Sequence, residues 1–277
     1  MLNPLKKLIA IVLLLAAFTS CKKDDKPQPS DTNNNIVESD PPLLRPMTLN
    51  INQYIGGYYE SIPSHYLATT KKYPLLIFLH GAGQEGNGGT DLPLLLNDGI
   101  IKGIYQKTFP ANFKVNGNDF SFVVLAPQMR AMPPDSMVIS FLNFALAHYR
   151  IDPSRIYMAG MSMGGVLTTQ MGSHNAGKIA AAVSIAGAAF GADKDANAAG
   201  FASGGLALWA FHNSADPVTP SSVTTDFVNT INNDGPSIPA RMTIFPSSLH
   251  DAWTKAFDPA YKENNLNIYE WMLQYKR

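Results

Sequence analysis

Short apolar runs alternate with helical patterns along most of this 277-residue sequence, and this alternation restricts its fold more than any other feature. The predicted strands are Met47–Asn52, Tyr58–Ile62, Leu75–Leu79, Phe120–Ala126, Arg155–Ala159, Ala181–Ile185, Leu206–Phe211 and Arg241–Phe245. The predicted helices are Leu92–Ile104, Ser136–Tyr149, Met163–His174, Ser221–Asn233 and Tyr261–Tyr275. Several of the strand runs are almost entirely apolar, which is typical of strands buried on both faces of a parallel sheet. The sequence therefore predicts an α/β fold with a mostly parallel central sheet of about eight strands and helices on both faces.

Composition excludes several kinds of protein. Apolar residues make up 45% of the sequence and charged residues 15%, which is enough for a packed core and argues against disorder. The 21 basic and 21 acidic residues balance, so no basic surface for nucleic acid is expected. The single cysteine, Cys21, cannot form an internal disulfide or a thiolate zinc site, and no pair of histidines has the spacing of metal ligands. No metal and no other cofactor is expected.

The N-terminal residues have the pattern of an export signal followed by a tether. Two lysines precede the apolar run Leu8–Phe18, which is too short to span a bilayer as a helix. The small residues before Cys21 resemble the bacterial lipoprotein signal, which implies a signal peptide of residues 1–20 and a lipid on Cys21. Residues 21–46 are polar and predict a disordered tether. Residues 47–277 are predicted to form the folded domain.

The residues after Cys21 also predict a location. The charged residues Lys22 to Asp25 resemble the tag that directs some lipoproteins of the Bacteroidetes to the outer face of the outer membrane, although a solubilising charge cluster explains them almost as well. We expect an exported protein that is lipid-anchored to the outer membrane, with its periplasmic or outward orientation left open. An ordinary signal peptide with an incidental cysteine is the alternative.

A serine lies in a glycine-rich turn after one of the predicted buried strands. The residues Gly160 to Gly164 have the pattern G-x-S-x-G, with Ser162 at the centre, between a predicted strand and a predicted helix. The two glycines leave room for a sharp strand-to-helix turn that exposes the serine hydroxyl. The following helix would direct its first N–H groups at the group that the serine attacks. This arrangement predicts Ser162 as a nucleophile.

A second glycine-rich segment, His80 to Gly86, follows the predicted strand Leu75–Leu79. Such a loop can present a backbone N–H toward the serine, as an oxyanion hole requires. We assign one oxyanion donor to the N–H of Ala82 and the other to the N–H of Met163. A simple glycine-rich turn is the alternative, and His80 is expected to support the loop by hydrogen bonds.

Two further strand ends carry an acid and a histidine. Asp216 follows Leu206–Phe211, and His250 follows Arg241–Phe245, in polar loops. A carboxylate in such a position can hold a histidine in the tautomer that lets it act as a base toward a serine. The alternatives are a helix N-cap or an Asx turn for Asp216 and a surface-loop position for His250. Functional loops of these sheets lie beyond the carboxyl ends of the strands, so we expect Ser162, Asp216 and His250 to lie together.

These motifs resemble those of the α/β-hydrolase superfamily from about Tyr58 to Tyr275, and the chain order Ser162, Asp216, His250 matches that of its catalytic triad. A narrower resemblance is to the group of esterases and predicted peptidases related to polyhydroxybutyrate depolymerases, feruloyl esterases and acetyl xylan esterases. It is carried by Tyr73–Gly83, Ile151–Tyr157, Gly160–Gly165, Trp209–His212 and His250–Trp253. The resemblance implies Ser162 as nucleophile, Asp216 as acid and His250 as base.

The sequence departs from that pattern in two places. Relatives usually have glycine after the histidine at the end of the strand that contains Trp209, whereas this chain has Asn213. This departure affects how far the loop that carries Asp216 is expected to extend toward the histidine. The loop from Pro127 to Ser136 also lacks a tryptophan, which concerns the local shape of the cleft.

The motifs and the resemblance together predict a serine hydrolase that cleaves carboxylic esters through an acyl-enzyme, on polysaccharide-linked or other bulky substrates. The stretch Gly187–Gly205 shows no amphipathic lid helix, so an open cleft with little or no lid is expected. Two alternatives stay open: a serine peptidase of the prolyl-oligopeptidase type that acts on short peptides, and a non-catalytic surface lipoprotein that binds ligands on a hydrolase scaffold. The acyl group, the alcohol and the oligomeric state are left open.

Overall fold

The computed structural model describes residues 36–277. The strands in that range are β1 (Leu43–Met47), β2 (Ile55–Ile62), β3 (Tyr73–Leu79), β4 (Phe113–Val115), β5 (Asn118–Phe120), β6 (Val123–Met129), β7 (Ile151–Met161), β8 (Ala181–Ile185), β9 (Ala207–Asn213) and β10 (Arg241–Phe245). The α-helices are α1 (Gly99–Tyr105), α2 (Asp135–His148), α3 (Met163–His174), α4 (Lys194–Gly204), α5 (Ser222–Asn233), α6 (Trp253–Ala256) and α7 (Ile268–Met272). Short 3-10 helices, including Ala82–Gln84, lie in several of the connections.

Eight strands form one sheet in the order β1-β2-β6-β3-β7-β8-β9-β10. All neighbouring pairs from β6 to β10 are parallel, and β1 and β2 add antiparallel pairs at one edge. The strands β4 and β5 form a separate hairpin. The predicted α/β fold with a mostly parallel eight-stranded sheet is confirmed. The loops after β3, β7, β9 and β10 therefore leave the sheet at the same edge.

The sheet separates two apolar layers, because alternate side chains of a strand point to opposite faces. In β3, Leu75 and Ile77 belong to one buried cluster, and Leu76 and Phe78 belong to the other. The helices α2, α3, α4 and α5 contribute to the first cluster, and α1, α6 and α7 contribute to the second. Burial of one such side chain contributes about 1.5–3 kcal/mol. Helices thus cover both faces of the sheet, as predicted.

The folded part begins earlier than the sequence predicts. The predicted strand Met47–Asn52 is wrong, since β1 instead pairs antiparallel with β2 and ends at Met47. The prediction that the disordered tether extends to residue 46 is also wrong, because residues 43–46 belong to the sheet. This short run shows little alternation of apolar and polar residues, and its strand conformation comes from pairing with β2. Pro46 lacks an N–H and is tolerated there because β1 is an edge strand.

Residues before β1 are also attached to the folded part. The carboxylate of Glu38 is buried, and its Oε2 accepts hydrogen bonds from the hydroxyl of Ser64 at 2.6 Å and from the N–H of His65 at 3.1 Å. The predicted lipidation site, Cys21, and the predicted signal peptide of residues 1–20 lie outside the described residues. Within residues 36–277, no helix has the length and hydropathy needed to cross a bilayer.

Two predicted helices are interrupted in the structure. The run Leu92–Ile104 divides into a 3-10 helix and α1, because Gly99 at the start of α1 adopts a φ of +70°. The run Tyr261–Tyr275 contains only the short α7, because Asn264 and Asn265 adopt φ values of 54° and 65°. Residues in this left-handed region cannot continue an α-helix.

The stretch Gly187–Gly205 contains a helix, α4, that the sequence did not predict. The side chains of Ala198 and Phe201 are buried in the cluster to which α3 and α5 also contribute. The stretch is rich in alanine and glycine, so its apolar pattern gives a weak helical signal. Because α4 covers one face of the sheet, it belongs to the scaffold and does not act as a lid.

Candidate active site

Ser162 lies in a sharp turn between β7 and α3. Its φ of 51° and ψ of −119° lie in a region that a non-glycine residue adopts only when its surroundings enforce it. Close packing enforces it here. A Cβ atom at Gly160 would lie 2.1 Å from the carbonyl oxygen of Gly164, and one at Gly164 would lie 2.0 Å from that of Leu79. The two glycines of the motif are therefore required by the turn.

The structure brings together the three side chains predicted from separate strand ends. The hydroxyl of Ser162 lies 2.9 Å from Nε2 of His250, and Nδ1 of His250 lies 2.7 Å from Oδ2 of Asp216. When Nδ1–H donates to the carboxylate, Nε2 is left as the acceptor for the serine proton. A nucleophile, a base and an orienting acid are thus linked by hydrogen bonds.

The carboxylate of Asp216 is buried, and both of its oxygens are held. Oδ1 accepts hydrogen bonds from the N–H groups of Val218 at 2.8 Å and Thr219 at 3.0 Å, and Oδ2 faces His250. Burial raises the pKa of the Asp216 carboxyl, but the hydrogen bonds from His250 and the two N–H groups outweigh burial, so this pKa lies below its ordinary value. The acid is therefore ionised at neutral pH and can stabilise an imidazolium ion without taking its proton.

His212, a residue to which the sequence gave no role, also contacts the acid. It is buried in β9, with Nε2 3.3 Å from Oδ2 of Asp216 and 2.9 Å from the carbonyl oxygen of Thr219. Because a carbonyl oxygen only accepts, Nε2 carries the proton, and Nδ1 accepts from the hydroxyl of Thr224 at 2.7 Å. Burial lowers the pKa of His212, which keeps the ring neutral. The signal that could have revealed it is the i, i+4 spacing of His212 and Asp216 across a strand end.

The predicted oxyanion donors lie at the starts of two helices beside Ser162. Met163 is the first residue of α3, and Ala82 is the first residue of a 3-10 helix, so neither N–H has an acceptor within its own helix. The loop that carries Ala82 touches the serine, because a Cβ atom at Gly81 would lie 3.6 Å from Cβ of Ser162. Both helix starts therefore lie beside the serine, and the oxyanion hole built on them stays a prediction.

His80 supports this loop by hydrogen bonds, as the sequence predicts. Its Nδ1 donates to the carbonyl oxygen of Gly81 at 2.8 Å, and its Nε2 accepts from the N–H of Met129 at 2.8 Å. The buried side chain of Gln128 donates to the carbonyl oxygen of Gln84 at 3.0 Å. The loop is thus tied to Gln128 and Met129 of β6. Burial lowers the pKa of His80 to about 4, so its ring is neutral at pH 7.

We expect the protein to lose stability as the pH falls from about 6.5 toward about 4. His80 titrates near its ordinary pKa of 6.5 when the chain is unfolded and near 4 when it is folded, so the unfolded state binds more protons in this window. At pH 5 the expected loss in the free energy of unfolding is about 2 kcal/mol. His212, whose pKa burial also lowers, adds in the same direction.

Urea denaturation at pH 7.5 and pH 5, above the range in which most carboxylates titrate, measures this loss. The variant His80→Gln keeps a neutral polar side chain and should show a smaller difference between the two pH values. Equal free energies of unfolding for the wild type at both pH values would contradict the prediction.

The family of the chain follows from its sequence and from this geometry. A family model described as Phospholipase/Carboxylesterase matches residues 66–267, a range that contains Ser162, Asp216 and His250. The chain belongs to this family. Membership agrees with the resemblance to α/β-hydrolases drawn from the motifs. A search of curated proteins found no match to the sequence.

Solved structures of several esterases share the fold of this phospholipase/carboxylesterase family member. A thermostable esterase aligns with a TM-score of 0.59 and 24% sequence identity, over 86% of this chain and 64% of its own. A mutant of the feruloyl esterase module from Clostridium thermocellum, complexed with sinapinate, has a TM-score of 0.53 at 13% identity, over 81% and 87% of the two chains. A ferulic acid esterase from the anaerobic fungus Anaeromyces mucronatus has a TM-score of 0.53 at 14% identity, over 76% and 85%. The chain thus spans less than two thirds of the thermostable esterase. At these identities the superpositions show a common fold, that of the α/β-hydrolases.

An apolar cavity opens beside Ser162 in this family member. Its volume is about 370 Å³, and Val166, Val223 and the rim residues Phe190 and Val218 contribute to its lining. None of its lining residues is charged. Phe190 and Val218 are 58% and 66% exposed, so the cavity is open to solvent.

Trp253 packs against His250 at the candidate site. The two rings meet edge to face, with centroids 5.0 Å apart and planes at 88°. The indole N–H points to Oδ1 of Asp98 at 3.4 Å. The His250 ring is thus packed against an aromatic side chain in addition to its hydrogen bonds with Ser162 and Asp216.

Two histidines outside the site form separate pairs with carboxylates. Nδ1 of His65 lies 2.9 Å from Oε2 of Glu38, and His174 contacts Asp135. Among residues 36–277, no group of three or more His, Cys, Asp or Glu side chains is arranged to hold a metal ion.

Proposed function

We propose that this protein is a serine hydrolase that cleaves carboxylic esters through an acyl-enzyme. The observation that carries the proposal is the hydrogen-bonded chain from Ser162 through His250 to Asp216, built on a strained strand-to-helix turn. Membership of the phospholipase/carboxylesterase family supports it. A ligand-binding module has no need for a histidine that is hydrogen-bonded both to a serine hydroxyl and to a buried, ionised acid.

The geometry suits a two-step acyl transfer. The Ser162 oxygen attacks the ester carbonyl while Nε2 of His250 takes the serine proton, and the leaving alcohol departs with that proton. Water then attacks the acyl-enzyme while His250 takes a proton from it, and His250 gives this proton to the departing Ser162 oxygen as the acid is released. The N–H groups of Ala82 and Met163 stabilise the oxyanion in both steps. Removal of one such donor from another serine hydrolase costs about 3–4 kcal/mol.

The substrate we propose is an ester of an uncharged acyl group on a bulky or polysaccharide-linked alcohol. The apolar lining of the cavity beside Ser162 favours an uncharged acyl group, because a charged group would lose its hydration there without a partner. The exposed rim residues Phe190 and Val218 leave the cleft open, and α4 does not cover it. Structures of similar fold include feruloyl esterases, one of them in complex with the aromatic acid sinapinate.

A fluorophosphonate probe tests the proposed nucleophile directly. The wild-type protein should be labelled under conditions in which a known serine hydrolase is labelled, and Ser162→Ala should not be. Absence of labelling in the wild type would contradict the enzyme proposal and favour the binding-module alternative. Labelling that survives in Ser162→Ala would show that the nucleophile is another residue.

A substrate panel separates ester from peptide substrates. Acetylated xylan, feruloylated oligosaccharides and aminoacyl amides are assayed side by side with the same purified protein. We expect hydrolysis of the esters with a higher kcat/KM than that of the amides. The reverse order would favour the peptidase alternative.

We also propose that the protein is exported and attached to the outer membrane by a lipid on Cys21. The support is the sequence of residues 1–25, in which a short apolar run precedes the single cysteine. Metabolic labelling with an alkyne fatty acid should tag the wild-type protein and not Cys21→Ser. Equal labelling of both proteins would contradict Cys21 as the attachment site.

A further inference from the structure

The loop that carries His250 is exposed before the histidine and is anchored after it by the buried side chain of Ala252. It connects β10 to α6, and Leu249, directly before the histidine, is 63% exposed. Its backbone is held by a hydrogen bond from the N–H of Ala215 to the carbonyl oxygen of Ser247 at 3.0 Å. Within the loop, the hydroxyl oxygen of Ser247 accepts from the N–H of Leu249 at 3.2 Å. An exposed loop of this kind needs a fixed point close to the histidine if the imidazole is to stay aligned.

Asn213 supplies such a point from the neighbouring strand. It is the last residue of β9, is only 1% exposed, and donates from Nδ2 to the carbonyl oxygen of Leu249 at 2.8 Å. In the parallel register Asn213 lies opposite Phe245, so β9 and β10 end side by side. The hydrogen bond joins the end of the acid's strand to the peptide unit that leads into His250.

The backbone of Asn213 is connected to the acid as well. Its carbonyl oxygen accepts from the N–H of Asp216 at 3.4 Å, in the turn that places the carboxylate. One buried residue therefore contacts both loops whose side chains must meet, that of Asp216 and that of His250. Glycine, the residue usual at this position in the resembling esterases, has no side chain and could form only the backbone contact.

We propose that Asn213 is a positioning residue that holds His250 in line with Ser162 and Asp216. This inference rests on the proposed function, because it concerns the same triad. Without the side-chain bond, the His250 loop would adopt further orientations in which Nε2 no longer faces the serine hydroxyl. Asn213 contributes nothing to the lining of the cavity beside Ser162, so substrate binding should change little while the chemical steps slow.

The test compares Asn213→Ala and Asn213→Gly with the wild type in steady-state kinetics on an ester that the wild type hydrolyses. Loss of one hydrogen bond between neutral groups corresponds to a fall in kcat of about tenfold, with KM changed by less than about twofold. The rate of fluorophosphonate labelling should fall by the same factor, because labelling also needs His250 to activate Ser162. A purely structural role would leave the labelling rate of the folded protein unchanged.

The matched control is Asn232→Ala. Asn232 also bonds the backbone of a neighbouring segment, with Nδ2 3.0 Å from the carbonyl oxygen of Ala240 and Oδ1 2.8 Å from its N–H. It lies at the opposite end of β10 from His250, so its loss should change Tm and leave kcat and the labelling rate as they are. Both Asn213 variants should keep a Tm within the range of this control, because each substitution removes side-chain hydrogen bonding to one neighbouring segment.

Three results would overturn the inference. If both Asn213 variants had the kcat and labelling rate of the wild type, the inference would be wrong and the proposed function would be unaffected. If Asn232→Ala lost as much kcat as the Asn213 variants, loss of any side-chain hydrogen bond near β10 would lower kcat, and Asn213 would have no specific role. A wild-type protein that neither hydrolyses esters nor reacts with the probe would contradict the proposed function and, with it, this inference.

Discussion

Replacement of Ser162 with alanine is expected to reduce kcat for ester hydrolysis by about 10⁶-fold, the scale found when the nucleophile of a serine hydrolase triad is removed. The fold should be unaffected. Ser162 adopts a φ of 51°, and alanine carries the same Cβ, so the substitution adds no backbone strain. Its hydroxyl makes its side-chain hydrogen bond with Nε2 of His250, which is partly exposed and can bind water instead. The measurement is kcat on a chromogenic ester, with Tm as the test of folding.

The variant His250→Ala provides the matched comparison. Residues that act as one unit give non-additive losses, so His250→Ala and the double variant should each lose about as much activity as Ser162→Ala alone. Additive losses would show that the two side chains act separately. A variant Ser162→Ala that keeps more than about a hundredth of the wild-type kcat, free of contaminating esterase, would place the nucleophile elsewhere.

Predictions from the sequence succeed where a local pattern is strong enough to decide the structure alone. The central strands, such as β3 with its run of apolar side chains, are buried on both faces and cannot occupy any other layer of the fold. Because parallel strands end at the same edge, Ser162, Asp216 and His250 could be expected to meet from their positions after three strands. Their contact distances confirm that they do.

Predictions fail where tertiary contacts decide the local conformation. The strand β1 depends on pairing with β2, and α4 is stabilised by the burial of Phe201 on the scaffold more than by an amphipathic pattern. His212 and Asn213 were missed for a related reason. The spacing of His212 and Asp216 only hinted at their contact, and the residue type of Asn213 does not show that its side chain reaches the carbonyl oxygen of Leu249.

The second large effect is expected at Gly164, where replacement with alanine should strongly destabilise the protein and abolish activity. A Cβ atom there would lie 2.0 Å from the carbonyl oxygen of Leu79 and 2.7 Å from that of His80. The backbone at the end of β3 therefore leaves no space for a side chain at Gly164. Alanine favours a helix over glycine by about 1 kcal/mol, but relief of such a contact requires α3 to move away from β3. The expected loss is more than about 4 kcal/mol, the range of the most damaging single substitutions. Movement of α3 would also displace Ser162 and the N–H of Met163 from the loop of Ala82.

Gly103→Ala makes the same chemical change inside another helix and should have the opposite effect. In α1, a Cβ atom at Gly103 would meet the hydroxyl of Thr108 at 3.4 Å, which is close to an ordinary contact with a side chain that can move. The preference of alanine for a helix should then prevail, with a gain in stability of about 0.5–1 kcal/mol. Urea denaturation of both variants and of the wild type tests the pair. If Gly164→Ala were as stable as Gly103→Ala and hydrolysed esters at the wild-type rate, the close approach of α3 to β3 would not be what holds the serine in place.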